Sequence, residues 1–180
     1  MRKLLILIII FTTNTSYSNE NLVSVLKEGK KIIFIRHALA PGNGDPDDIN
    51  LNDCDTQRNL NLEGINQSKK IGNYFVKNDI NIEKIYSSEW CRCKDTALHA
   101  FQKYEIFDAL NSFYDQKFHK NKNRQVKELK SFIEKWNNSG NIILVTHYVV
   151  IMELLNISPE SGEIIVSNKN YEVISRKTIK

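Results

Sequence analysis

The sequence lacks several features that would point to a membrane protein, a nucleic-acid-binding protein or a repeat protein. Its longest apolar run, Leu4 to Phe11, has eight residues, whereas a membrane-spanning helix needs about 20. Basic residues are not concentrated in one segment, and the net charge is only +4 over 180 residues, which argues against a nucleic-acid partner. We find no internal repeat, no low-complexity segment and no boundary of a second domain.

The first 18 residues have the pattern of an export signal and are set aside from the fold. Arg2 and Lys3 form a positive start, the apolar run follows, and Ser16 and Ser18 are the small residues of a cleavage site. No cysteine follows the expected cut, which argues against a lipid anchor; an uncleaved membrane-surface anchor is the alternative. We expect an exported protein, periplasmic or secreted, with one domain over residues 19–180 and no stable membrane insertion after cleavage.

Cysteine is scarce, and all three residues, Cys54, Cys91 and Cys93, belong to the expected mature chain. Cysteines of exported proteins tend to pair. A disulfide from Cys54 to Cys91 or Cys93 would stabilise the fold by roughly 3 to 4 kcal/mol in the chain-entropy model. The odd number leaves one thiol over; three reduced cysteines are the alternative, and a zinc site built from cysteine alone would lack a ligand.

Short apolar runs alternate with amphipathic segments along the chain. Runs at Lys31 to Ile35, Ile82 to Ser87 and Ile142 to Val145, with two later ones near Ile164 and Val173, predict strands. Helical spacing predicts helices over Glu63 to Lys77, from Ser88 through Ala97 toward Phe101, around Val126 to Trp136, and over Val149 to Leu155. This alternation predicts an α/β fold, a three-layer sandwich with a mainly parallel central sheet.

Polar residues follow three of the predicted strands at the point where each strand ends. Arg36 and His37 follow the first, Ser87-Ser88 leads to Arg92 after the second, and Thr146-His147 follows the third. Ligands of open α/β sheets bind outside the carboxyl ends of the strands. The sequence therefore predicts two histidines and two arginines in one crevice, a grouping that suits a phosphate group.

These residues and their spacing resemble the histidine phosphatases, also called the phosphoglycerate mutase-like superfamily. The Arg-His-Gly signature of that family is similar to Arg36-His37-Ala38, its Ser-x-x-x-Arg-x-x-x-Thr-Ala segment matches residues 88–97, and its Leu-Thr-x-x-Gly-x-x-Gln helix start is similar to residues 60–67. A late strand that ends in a histidine matches residues 143–147. Ala38 replaces the usual Gly and Ala40 stands where Ser or Thr is common, so one phosphate hydrogen bond is expected to be missing. Tyr148 replaces a Gly that frequently follows the second His.

The resemblance implies a phosphatase that works through a phosphohistidine on His37 and requires no metal ion or cofactor. Arg36 and Arg92 would bind the phosphate oxygens by bidentate, charge-assisted hydrogen bonds, and protonated His147 would add a third donor. The arginines would repel a metal ion, which argues against His37 and His147 as zinc ligands. Asn43 takes the place of an Asn that many members carry six residues after the nucleophile.

A leaving alkoxide needs a proton, and the mutase-type members imply Asp115 as the acid; Glu163 and Glu89 are the alternatives. Arg58, near the end of the long loop from Ala40 to Asn61, is a candidate for binding a second anionic group of the substrate. A calcium site at Asp45, Asp47 and Asp48 is disfavoured, because these residues lack the Gly and the terminal Glu of an EF-hand.

The expected substrate is a small phosphomonoester, or a glycan or lipid-linked phosphate. The alternative function is a non-catalytic phospholigand-binding or surface-interaction protein that keeps the fold. The departures at Ala38 and Tyr148 and the lack of a consensus acid keep this alternative open.

Overall fold

A computed structural model describes residues 21–137 and 139–180 of this chain. The expected signal peptide, residues 1–18, lies outside the described residues. The strands are β1 (Ile32–Arg36), β2 (Ile82–Ser87), β3 (Glu105–Ile106), β4 (Asn141–Thr146), β5 (Glu163–Ser167) and β6 (Val173–Thr178). The helices are α1 (Leu22–Lys27), α2 (Leu62–Lys77), α3 (Cys91–Phe101), α4 (Gln116–His119), α5 (Lys122–Lys135) and α6 (Tyr148–Leu155).

The strands form one sheet of six in the order β3-β2-β4-β1-β5-β6. The first four in this order are parallel, and β5 and β6 add an antiparallel edge. Because β1, β2 and β4 run in the same direction, their carboxyl ends meet at one edge of the sheet. The predicted α/β fold with a mainly parallel sheet is therefore confirmed.

Two hydrophobic cores cover the two faces of the sheet. Ile33 and Ile35 of β1 pack on the side of α1, α2 and α3, while Ile32 and Phe34 pack on the side of α5 and α6. These four side chains are fully buried, and burying one such side chain stabilises a fold by about 1.5 to 3 kcal/mol. Since β1 lies in the middle of the sheet and is covered on both faces, its carboxyl end is held rigidly.

Local signals in the sequence fix the two helices that flank the site. The Asn61 side chain accepts a hydrogen bond from the backbone N–H of Gly64 (2.9 Å) and caps the start of α2. A Cβ at Gly72 would lie 2.0 Å from the carbonyl oxygen of Ala100, so only glycine lets α2 approach α3 this closely. The helix that we predicted from Ser88 begins at Cys91, because residues 88–90 bend around the site instead.

The sequence did not predict three short elements, α1, β3 and α4. They have six, two and four residues, too few for a helical period or a buried strand to show. No helix of residues 21–137 and 139–180 is long and apolar enough to cross a membrane.

A disulfide joins Cys54, in the long loop, to Cys91 at the start of α3. Cys93 keeps a free, buried thiol, and burial raises the pKa of this thiol to about 12. The disulfide therefore ties the loop that follows β1 to the helix that carries Arg92.

Candidate active site

A cavity of about 300 Å³ opens at the carboxyl ends of the parallel strands. The structure brings every predicted catalytic and substrate-binding residue to its wall: Arg36, His37, Asn43, Arg58, Arg92, Asp115 and His147. Backbone hydrogen bonds from His37 to Thr146 (2.9 Å) and from Ser88 to Val145 (3.1 Å) extend the strand pairing into the site. The sheet itself therefore sets the spacing of these strand ends.

His37 lies at the bottom of the cavity and is 2% exposed. Its ring Nδ1 lies 2.8 Å from the carbonyl oxygen of Ala38, and since a carbonyl only accepts, Nδ1 carries the proton. Burial and the positive charge of Arg92 lower the pKa of His37 well below its usual range. The ring is therefore neutral at pH 7, with a free lone pair on Nε2.

His147 is held by a relay of hydrogen bonds. Its Nε2 lies 2.9 Å from the hydroxyl of Ser88, and this hydroxyl donates a hydrogen bond to Asn111 Oδ1 (3.0 Å). Because the hydroxyl proton is used in this way, Nε2 carries the ring proton and donates a hydrogen bond to the Ser88 oxygen. Its Nδ1 lies 3.5 Å from Nη2 of Arg92, and its ring is 5.5 Å from that of His37. Burial and Arg92 lower the pKa of His147 well below its usual range. We expected a protonated donor here; the geometry of the pocket instead favours the neutral ring.

Arg36 and Arg92 each use part of the guanidinium to hold their position. Arg36 donates from Nη1 to the carbonyl of Pro159 (3.0 Å) and lies 5.5 Å from the ring centre of Tyr148. Arg92 donates from both terminal nitrogens to Asp45 (2.6 and 3.0 Å). The Nε of each arginine is buried and has no hydrogen-bond partner among the described residues. Two buried donors thus stay unpaired in residues that line one cavity.

Sequence reasoning missed Asp45 as a residue of the site. The loop from Ala40 to Asn61 contains five aspartates, and only the fold shows which one turns inward. Gly44, with φ +66°, precedes it in a backbone conformation that favours glycine. A glycine directly before an aspartate is the one local signal that marked this position.

Asp115 lines the cavity and stands directly before α4. Burial and the neighbouring carboxylate of Asp45 raise the pKa of Asp115. The two alternative acids do not line the cavity: Glu163 is buried against Arg176 (2.5 and 2.9 Å), and Glu89 accepts a hydrogen bond from the side chain of Asn111 (2.5 Å).

Arg58 and Asn43 line the mouth of the cavity. The Arg58 side chain donates to the carbonyls of Gly44 (2.7 Å) and Ala40, so two of its five N–H bonds hold the loop and those of Nη2 are left for a ligand. Asn43 is exposed at the rim.

Ala38 stands where the resemblance expects glycine. Its side chain is fully buried, and its backbone N–H donates to Thr96 Oγ1 (3.0 Å), whose hydroxyl donates to the Arg92 carbonyl (2.6 Å). The N–H of residue 38 therefore ties the start of the loop to α3.

No protein-family model and no curated protein sequence matches the chain. Solved structures do match: the protein histidine phosphatase SixA complexed with tungstate has 14% identity and a TM-score of 0.56, covering 82% of this chain and 96% of its own. Phosphoglycerate mutase from Thermus thermophilus has 14% identity and a TM-score of 0.58, with coverages of 83% and 99%.

A putative alpha-ribazole-5'-P phosphatase from Escherichia coli str. K-12 substr. MG1655 has 15% identity and a TM-score of 0.58, and the match covers 84% of this chain and 98% of the phosphatase. This chain has the histidine phosphatase fold. In that fold the strand ends of β1, β2 and β4 carry the cluster described above, in the chain order that the sequence motifs predicted.

Proposed function

We propose that this chain hydrolyses a phosphate ester through a phosphohistidine on His37. The observation that carries the proposal is the tautomer of His37, whose Nδ1–H donates to the Ala38 carbonyl while its neutral Nε2 is free in a cavity lined by three arginines. A neutral imidazole with a fixed tautomer is the form that attacks phosphorus. The matched structures include proteins named as phosphatases, which supports a reaction of this type.

The unpaired Nε atoms of Arg36 and Arg92 support oxyanion binding at this position. A buried donor without a partner destabilises a fold by about 1 to 3 kcal/mol, and a phosphate oxygen would satisfy each of them. Guanidinium groups bind phosphate oxygens through charge-assisted bonds in a fixed planar geometry. The positive charge that the transferring phosphoryl group needs is thus supplied by side chains, which requires no divalent ion.

In the first step, Nε2 of His37 forms a bond to phosphorus as the bond from phosphorus to the leaving oxygen breaks. Asp115 gives a proton to that oxygen, and the raised pKa of its carboxyl suits this task. In the second step, Asp115 takes a proton from a water molecule that attacks the phosphohistidine. Inorganic phosphate leaves, and both His37 and Asp115 return to their starting forms.

The test uses the mature protein with an aryl phosphate, in the presence of a chelator, and compares it with His37→Ala. We expect hydrolysis that the chelator does not change and that the variant loses. We also expect acid-labile phosphate on His37 in a rapidly quenched reaction. Binding of orthovanadate without any turnover would instead support the non-catalytic phospholigand-binding alternative.

A further inference from the structure

The carboxylate of Asp45 is built into the wall of the cavity. It is 1% exposed and forms a salt bridge with Arg92, which is itself 4% exposed at the side chain. It accepts four hydrogen bonds: from Nη1 (2.6 Å) and Nη2 (3.0 Å) of Arg92, from the Trp90 indole (3.0 Å) and from the Arg58 backbone N–H (3.0 Å). A buried carboxylate with this many donors has one fixed position.

Asp45 binds one edge of the Arg92 guanidinium, and this determines which edge can bind a ligand. A guanidinium offers two forks of parallel N–H bonds, one between Nη1 and Nη2 and one between Nε and Nη2. Asp45 takes the first fork. The second fork is only weakly occupied, since Nε has no partner among the described residues and Nη2 makes one long hydrogen bond, of 3.5 Å, to Nδ1 of His147. This fork therefore faces the histidine side of the cavity.

We propose that Asp45 is a positioning residue that clamps Arg92 by its terminal edge and presents the Nε–Nη2 edge to an oxyanion of the substrate. The proposal rests on the proposed function, because it concerns the same phosphoryl site. A second fork matched to two oxygens gives Arg92 a bidentate contact without release of Asp45. Arg92 then holds a carboxylate on one edge and the phosphoryl group on the other.

The opposite account treats Asp45 as an internal competitor that a phosphate must displace from Arg92. Two observations argue against this account. Trp90 and the Arg58 backbone also hold the carboxylate, so displacement would leave these donors unpaired. In addition, a ligand need not displace Asp45 to reach Arg92, because Nε on the other edge has no partner among the described residues.

The loop around Asp45 is fixed in a way that suits a clamp. The Arg58 side chain donates to the carbonyls of Ala40 and Gly44, which both precede Asp45. The disulfide between Cys54 and Cys91 ties the loop to the residue before Arg92. A loop that moves away when substrate binds would not be attached covalently to α3, so these ties favour a fixed position for Asp45.

The test measures the affinity for orthovanadate of wild type, Asp45→Ala and Asp45→Asn, with Asp48→Ala as the matched control. Asp48 is an exposed aspartate of the same loop. We expect Asp45→Ala to weaken vanadate binding by about 100-fold, as a misplacement of about 1 Å in a binding group does, and Asp45→Asn to weaken it less. The control should bind like wild type. Unchanged or tighter binding by Asp45→Ala would overturn the proposal and favour the competitor.

A double-mutant cycle separates positioning of Arg92 from a general structural effect. The background is Arg92→Ala, or Arg92→Lys if the alanine variant does not fold. In this background Asp45→Ala should weaken vanadate binding by less than about 3-fold, because the guanidinium fork that Asp45 positions is gone. An undiminished effect in that background contradicts the proposal. Thermal melting of each variant shows that the folded protein is being compared.

The affinity for vanadate also distinguishes a failure of the Asp45 proposal from a failure of the proposed hydrolytic function. Wild type that binds vanadate through Arg92 but hydrolyses no phosphate ester would overturn the catalytic proposal and leave the clamp intact. Wild type that binds no oxyanion would overturn the clamp as well. Where wild type does hydrolyse an aryl phosphate, Asp45→Ala should raise KM together with the vanadate Kd.

Discussion

Acidification should destabilise this protein through the two histidines of the cavity. His37 and His147 are 2% and 3% exposed, and burial, followed by the charge of Arg92, lowers the pKa of both well below 6.5. In the unfolded chain a histidine titrates near pH 6.5. Below that pH the unfolded state therefore binds more protons than the folded state, and stability falls as the pH falls.

The size of the effect follows from this difference in bound protons. Each histidine that stays neutral in the fold costs about 1.4 kcal/mol of stability for every pH unit below the pKa of the unfolded chain. Between pH 7.5 and pH 5.5 the pair therefore costs roughly 3 kcal/mol. Because single domains are stable by about 5 to 15 kcal/mol, this loss is a large part of the total.

The measurement is urea unfolding at pH 7.5 and pH 5.5, with the free energy of unfolding compared between the two. His37→Asn and His147→Asn should each remove about half of the pH dependence, since each removes one buried histidine. His119→Asn is the control, because His119 is exposed, and it should keep the full dependence. Equal pH dependence in wild type and both variants of the cavity would refute the reasoning.

Three further predictions concern the disulfide and the carboxylates. Replacing Cys54 and Cys91 together by alanine opens a loop with a sequence separation of 37, and urea unfolding should show a loss of about 4 kcal/mol; a loss below about 1 kcal/mol would contradict the chain-entropy model here. Asp115→Asn should slow phosphohistidine formation in the first turnover of an alkyl phosphate by about 10²- to 10⁴-fold and leave the same step with an aryl phosphate nearly unchanged, whereas equal losses of this step on both substrates would rule out an acid role. Glu163→Gln should lower the melting temperature, because its buried pair with Arg176 is broken, yet keep the wild-type ratio of alkyl to aryl turnover.

Most of the fold could be predicted from the sequence, because the central strands are buried on both faces. Four consecutive apolar residues in β1, Ile32 to Ile35, are fully buried, and β4 shows the same pattern. Such a run has few alternatives to a covered strand. The positions of the strand-end residues followed from these runs, because Arg36, His37 and His147 stand within two positions of the end of a run.

Residues outside the regular elements were harder to place, and Asp45 shows why. Its partners, Arg92 and Trp90, lie more than forty positions away in the sequence, and no local pattern encodes a contact of that range. Arg58 is the complementary case. Its Nε and Nη1 donate to loop carbonyls, while its side chain lines the cavity, so the binding of a second anion by Arg58 stays a prediction.

The long loop after β1 is better understood as one wall of the cavity than as a cover over it. It contributes Asp45 to the hold on Arg92, and it is attached to α3 by the disulfide at Cys91 and by the hydrogen bond between the Ala38 N–H and Thr96. The side chain of Ala38 is fully buried, so replacing the expected glycine adds packing on this wall and leaves the arginine forks untouched. Oxyanion binding should therefore depend on Asp45 and Arg92 more than on the glycine-to-alanine change at residue 38. Ala38→Gly accordingly should change the vanadate Kd by less than about 3-fold, against about 100-fold for Asp45→Ala. A comparable effect of the two variants would place the phosphate on the backbone of the loop instead.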